Sequence, residues 1–290
     1  MDPELLIQAI INGVLLGGVY ALMATGLSLI FGVMRVINFA HGEMMVLGMY
    51  VAFLCKSLLG ADPFVAWPVA ALVLFFLGVF IQRYVINRIL DAPHEIQLLL
   101  MLGLALVLQN TFLVLFGPAP KSVGSFMSLW TVWLGPWFID MPRLITFGLA
   151  VVVTGLLFVF LQYSRMGREI RAASDNPYGA KVIGLDSRFI YAVAFGIGAA
   201  CVGISGTLVA SFVNFDPSMG FVLGVTSFYV VIIGGMGNIP GAFLGGLVVA
   251  IGESLGAVLL SPSLKQLVSF SLFIVILLFR PAGLLGRGRL

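Results

Sequence analysis

The sequence predicts an all-α integral membrane protein, a polytopic bundle of about eight or nine transmembrane helices. Three observations carry that prediction. Only 9% of residues are charged, against about 25% in an ordinary soluble domain. Apolar residues make up 61% of the chain, and its mean hydropathy is +1.14. The apolar residues also fall in long runs, several near the ~20 residues that a helix needs to cross hydrocarbon. These runs lack the period-two alternation of barrel strands, and lipid leaves backbone groups no partner outside their own segment, so helices are selected.

In chain order the runs lie at about 8–31, 44–60, 64–86, 98–116, 144–163, 189–213, 221–236, 242–260 and 266–279. The first is long and carries glycines, which predicts tilt or a break. The runs at 44–60, 221–236 and 266–279 are short, and partly re-entrant segments are expected there. All nine belong to one domain, residues 1–290. Asp2 and Glu4 lead the first run with no basic stretch before it, so a cleaved signal peptide is not expected.

Charge sets the expected orientation. If all nine runs cross and the 164–188 loop is cytoplasmic, eleven of the fifteen cations fall inside: Arg35, Arg83, Arg88, Arg165, Arg168, Arg171, Lys181, Arg188, Arg280, Arg287 and Arg289. Lys56, Lys121, Arg143 and Lys265 fall outside or near the outer ends. That bias places the N-terminus outside and the C-terminus inside. The 117–142 loop is then outside, where Trp130, Trp133 and Trp137 suit the membrane interface.

Two glycine-punctuated breaks resemble each other: FGVMRVINFAHGEMMVLGMYVA (31–52) and IGGMGNIPGAFLGGLVVA (233–250). Both face the same side in this topology, so the internal repeat is read as parallel, with interrupted helices at matching places as in many transporters. GxxxG spacing at Gly13/Gly17, Gly241/Gly245 and Gly252/Gly256 allows close helix approach.

One segment departs from the composition of the rest. GREIRAASDNPYGAKVIGLD (167–186) sets Arg168, Arg171 and Lys181 beside Glu169, Asp175 and Asp186. Asp175 or Asn176 is a suitable N-cap, Pro177 suits the first helical position, and Gly184 suits the stop. A short helix over 178–183 follows, with Ala180, Ile183 and Leu185 as its apolar face. Two turns are too few for stability alone, so the helix needs a partner surface. A loop serving only topology explains the arginines but not this ordered cap and stop.

The segment resembles the cytoplasmic loop of bacterial ABC-importer permeases of the branched-chain amino acid class. GLSLIFGVMRVINFAHGEMMVLGMY (26–50), VIIGGMGNIPGAFLGG (231–246) and LLFRPAGLLG (277–286) resemble other signatures of that family, in the family's order and over nearly the whole chain. The likeness is closest to the shorter of the family's two permease subunits. It implies a helix that docks in a groove of an ATP-hydrolysing subunit. That role would fall on Asp175, Asn176, Pro177, Tyr178, Gly179, Ala180, Lys181, Val182, Ile183, Gly184 and Leu185. It further implies a bacterial inner-membrane location, a second permease, identical or related, and a soluble extracytoplasmic binding protein that delivers substrate. The substrates implied are branched-chain or other hydrophobic amino acids, or related small amides and acids. No G-x-x-x-x-G-K-[ST] occurs, so ATP and Mg²⁺ belong on partner subunits and this chain needs no cofactor.

The polar residues within the runs are the candidates for pore lining or bracing. Glu253 stands mid-run, where an ionisable group is costly and functional by default. Gln109 and Asn110 suit interhelical hydrogen bonds. Asn38, His41 and Glu43 sit at the first break and suit bracing or a cavity wall. A metal site is not expected, since one His and one Glu are too few ligands. Cys55 and Cys201 lie in apolar runs and form no framework. His94 reads as a solvated loop residue. Asp216, in the outer NFDPSMG turn, suits either a capped turn or a seat for the binding protein. An intramembrane serine protease has a hook in GISG (203–206), but His41 and His94 both lie upstream of Ser205 instead of on a later helix, so Gly203, Ser205 and Gly206 read as packing residues. A stand-alone carrier or channel is the stronger rival, and it has little beyond Glu253 to couple it to an ion.

Overall fold

The computed structural model describes residues 3–90 and 92–286. Asp2, Arg287 and Arg289, invoked above, lie outside the described residues. Eleven α-helices are present among them: α1 (Pro3–Met34), α2 (His41–Leu59), α3 (Pro63–Tyr84), α4 (His94–Phe116), α5 (Met141–Tyr163), α6 (Arg165–Asp175), α7 (Pro177–Val182), α8 (Ser187–Val209), α9 (Met219–Gly234), α10 (Ile239–Leu259) and α11 (Lys265–Phe279). A two-stranded hairpin, β1 (Thr131–Leu134) and β2 (Trp137–Asp140), joins α4 to α5. Among the described residues, eight segments are long and apolar enough to cross a membrane. The chain is therefore a multi-pass, all-α membrane protein. The ninth apolar helix, α9, has 16 residues, or about 24 Å at 1.5 Å per residue.

Contacts between loops sort the helix ends into two poles. At one pole, Gln8 exchanges hydrogen bonds with the backbone of Phe138 (2.8 and 3.0 Å), and Trp137 Nε1 donates to the carbonyl of Glu4. Asp62 caps α3 through Phe64 N–H, and its other oxygen accepts from Ser125 Oγ and Phe126 N–H. Lys121 pairs with Phe215 through two backbone bonds. At the opposite pole, Ser174 Oγ donates to the carbonyl of Gly32, and Asn238 Nδ2 donates to that of Leu285. Leu284 N–H and Leu285 N–H donate to Ile233 and Gly234 at the end of α9. The α8–α9 turn lies at the first pole and the α9–α10 turn at the second, so α9 connects the poles despite its length.

α1 is one continuous 32-residue helix. The expected break comes just after it. Arg35, at φ 56°, turns the chain out of the helix, and residues 35–38 run without regular structure. The chain then re-enters the bundle, because His41 Nε2 meets the carbonyl of Met23, eleven residues short of the end of α1. α2 thus begins inside the bundle, not at its rim.

The helices that carry the two breaks pack reciprocally. α1 packs against α10, and α2 packs against α9. If the first pair of helices corresponds to α9 and α10, this is the reciprocal exchange that a two-fold relation requires. All three GxxxG pairs lie at helix crossings. Gly13 and Gly17 face Ile251 and Leu247 of α10, Gly241 and Gly245 face the backbone of α9, and Gly252 and Gly256 face Leu272 and Val268 of α11.

The core is centred on α2 and α8. Tyr50 is fully buried, stacked on Phe116 (4.1 Å, 12°) and edge-on to Phe215 (5.2 Å, 80°). Such ring pairs contribute about 0.5–1.5 kcal/mol beyond their area. α2 crosses α8 with backbones nearly touching: a Cβ at Gly48 would lie 2.9 Å from the Cα of Gly203. Gly48→Val should therefore cost about 1–3 kcal/mol or more and sharply lower the yield of monodisperse protein in fluorescence-detected size exclusion. Gly103→Val, with no atom within 4 Å of the added Cβ, should leave that yield unchanged.

Candidate functional site

Two regions concentrate the candidate residues: the α6–α7 segment at one pole, and buried polar groups inside the bundle. α6 begins at Ser164, whose Oγ accepts from Gly167 N–H at 2.9 Å. It buries Gly167, Ile170 and Ala173 and turns its arginines outward, where Arg171 binds Gln162 and Arg168 binds the carbonyl of Tyr163. Ser174 closes its last turn onto Gly32 at 2.5 Å. The sequence reading had no helix here. Its polar composition hid a narrow apolar stripe that only the neighbouring body makes useful.

α7 follows at once. Asn176, not Asp175, is the cap: its Oδ1 accepts from Gly179 N–H at 2.9 Å, with Pro177 in the first turn. The helix ends in a Schellman motif, in which Leu185 N–H donates to the carbonyl of Ala180 and Gly184 N–H to that of Lys181. Gly184 holds the required left-handed conformation, φ 84°.

The apolar face differs from the expected one. Ala180 is 2% exposed and, with Leu185, packs into the protein's own core beside Ile170 and Ala173. Tyr178, Val182 and Ile183 are 78%, 70% and 73% exposed. Ala180 and Leu185 therefore anchor the helix, and the outward apolar surface is Tyr178, Val182 and Ile183. Asp175, Asn176, Pro177, Lys181 and Gly184 are exposed around it, and Gly179 is half-buried against Asn176. Sequence spacing alone did not reveal which side the body occupies.

Inside the bundle, Glu253 is a brace. Tyr20 donates to its Oε2 at 2.8 Å, and Tyr229 and Ser269 donate to its Oε1 at 2.8 and 2.9 Å. One carboxyl thus joins α1, α9, α10 and α11. The tyrosine and serine partners are distant in sequence, which is why Glu253 alone could be singled out beforehand.

Asn38 lies in the first break and His41 and Glu43 in the first turn of α2, all three buried. His41 donates through Nε2 to Met23, and its Nδ1 has no partner. Asn38 reaches only the sulfur of Met44, at 4.0 Å. Glu43 and Gln109 come together, on α2 and α4, across one small cavity. Asn110 makes no interhelical bond; it donates to Leu106 of its own helix. His94 is exposed, at the first residue of α4. Asp216 accepts from Ser218 N–H and Oγ, forming a capped turn. Ser205 donates to the carbonyl of Val19 while His41 engages Met23, so the pair required by a serine protease does not form. Among the described residues no cluster of three metal-ligating side chains occurs.

Residues 9–277 match the family model described as branched-chain amino acid transport system / permease component. The chain belongs to that family. The permease is similar to the high-affinity branched-chain amino acid transport system permease protein LivH of Escherichia coli (strain K12), at 34% identity over 97% of this chain and 96% of the relative. It is 32% identical to the corresponding protein BraD of Pseudomonas aeruginosa, over the same shares of each chain. A shorter likeness, 30% over 46% of this chain and 32% of the relative, links it to the permease protein LivM of Escherichia coli (strain K12).

Glu253→Ala leaves two tyrosines and a serine without their acceptor. It should cost about 3 kcal/mol and lower the melting midpoint of the solubilised permease by roughly 6–12 °C. Glu253→Gln keeps an acceptor oxygen and should lose less than half as much. Equal losses would make charge, not hydrogen bonding, the source of the stability.

Proposed function

We propose that this permease is the membrane-spanning subunit of an ATP-driven importer for branched-chain or similar hydrophobic amino acids. A soluble extracytoplasmic protein delivers the substrate. Separate ATPase subunits bind ATP and Mg²⁺ and hydrolyse the nucleotide, and a second permease completes the path. The chain lies in a bacterial inner membrane, with its N-terminus outside and the α6–α7 segment and C-terminus inside, as the excess of Lys and Arg at that pole favours. The substrate class rests on the relatives' described activity.

The observation that carries the coupling role is α7. A capped helix of six residues, held on one side by Ala180 and Leu185, turns Tyr178, Val182 and Ile183 outward. Exposed apolar groups on a rigidly held element suit a partner groove. α6 links that helix to the end of α1 through Ser174 and Gly32, so a push on α7 reaches the break that follows α1.

Vesicles holding the permeases, with and without the ATPases, test this reading. Leucine should accumulate only with ATPases, ATP and the loaded binding protein; accumulation without any ATPase overturns it. Tyr178→Asp with Val182→Asp should reduce ATPase co-purification about tenfold or more and abolish uptake, with normal membrane insertion and melting. Full retention of both removes α7 from the coupling role.

A further inference from the structure

Among the described residues, Glu43 Oε2 is the buried carboxylate oxygen that no hydrogen bond reaches. The residue is 2% exposed. With Gln109 it lines a cavity of about 30 Å³ whose walls include Phe39, Leu106, Phe221 and Val225. That volume holds a water or an ammonium head, not a whole amino acid. Two features mark the place as more than a packing defect. Gly220 stands directly against the carboxyl, so that a side chain there would displace it. Leu106 and Phe221 are 51% and 62% exposed, so the crevice reaches the surface between α4 and α9.

Ordinary bracing does not describe this group. Glu253 shows what a braced carboxyl looks like here: three donors from three other helices. Glu43 lacks them, and a buried acceptor without a donor costs free energy until one arrives. The donor that fits is a cationic N–H group. The neighbouring amide of Gln109 offers two N–H donors to an anion, and the aromatic and aliphatic walls suit an alkyl chain. α4 packs on the bundle mainly through α2, with Phe112 and Phe116 on Tyr50, so a movement that pivots on that contact and draws α4 from α9 would widen the crevice.

We propose that Glu43 and Gln109 form a transient site for the solute in transit. It takes a small zwitterion with an aliphatic side chain: ammonium on Glu43, carboxylate on the amide of Gln109, alkyl group between Phe221 and Val225. This rests on the importer reading for its ligand, and goes beyond it by assigning recognition to the permease itself.

The test uses the assembled transporter with Ala105→Cys in the cavity wall, Cys55 and Cys201 replaced by alanine, and no ATP. Labelling of the new thiol by a water-soluble methanethiosulfonate is timed. Leucine at about twice its Kd should slow labelling about threefold. 4-Methylpentanoate, which lacks the amine, should not, and protection by leucine should vanish with Glu43→Gln. Equal protection by both compounds, or protection surviving Glu43→Gln, overturns the site. If Glu43→Gln fails to assemble, Gln109→Leu takes its place, and unchanged leucine protection there overturns the site equally. ATP-driven uptake in the same vesicles keeps the two readings apart. Unprotected thiol with intact leucine accumulation sinks the site alone. No ATP-driven accumulation of any amino acid by the parent transporter sinks the importer reading and the site with it.

Discussion

The structure depends on backbone-to-backbone approach around α2. In lipid no hydrophobic force brings one helix to another, so packing density and polar contacts must do so. α2 starts inside the bundle, and its first turns meet α8 and α9 where glycines face glycines: Gly42 against Gly220 and Gly224, Gly48 against Gly203. A methyl group on Gly42 or Gly48 would push a helix outward. That closeness lets the chain re-enter the protein at residues 35–40, and it sets the heights at which His41 and Glu43 stand.

Polar groups then divide the bundle into firm and loose parts. Glu253 with Tyr20, Tyr229 and Ser269 ties four helices by bonds of ordinary length. The loops at the first pole are held by Asp62 and by the Lys121–Phe215 pairing. Around Asn38, His41 and Glu43 the opposite holds, because each of the three has a buried atom without a partner. Tight bracing on one side of α9 and unfilled bonding capacity on the other suit a permease whose path opens and closes beside a fixed frame.

Much of the fold was legible in the sequence, and the failures have physical causes. The nine apolar runs fell within a few residues of the helices because hydrocarbon length constrains them all. The break near residue 35 and the cap, proline and glycine around α7 were readable as local chemistry. The β1–β2 hairpin was not, since Trp133 and Trp137 read as interfacial aromatics whether or not their strands pair. α6 was missed because its charge outweighs its three inward residues. The apolar face of α7 was misassigned because Ala180 and Ile183 share spacing but not surroundings. Likewise Glu43 and Gln109 meet only through the fold, being 66 positions apart in the chain.

The exchange of partners between the two ends of the chain also bears on how the permease is made. Gly13 and Gly17 of α1 rest on α10, which ribosomes deliver more than two hundred residues later. During synthesis the first helix must wait in the bilayer with the hydroxyl of Tyr20 still lacking its carboxylate. The N-terminal half is therefore not a finished unit to which the rest is added. The frame closes only late in translation, when α10 arrives and a single glutamate reaches its two tyrosines.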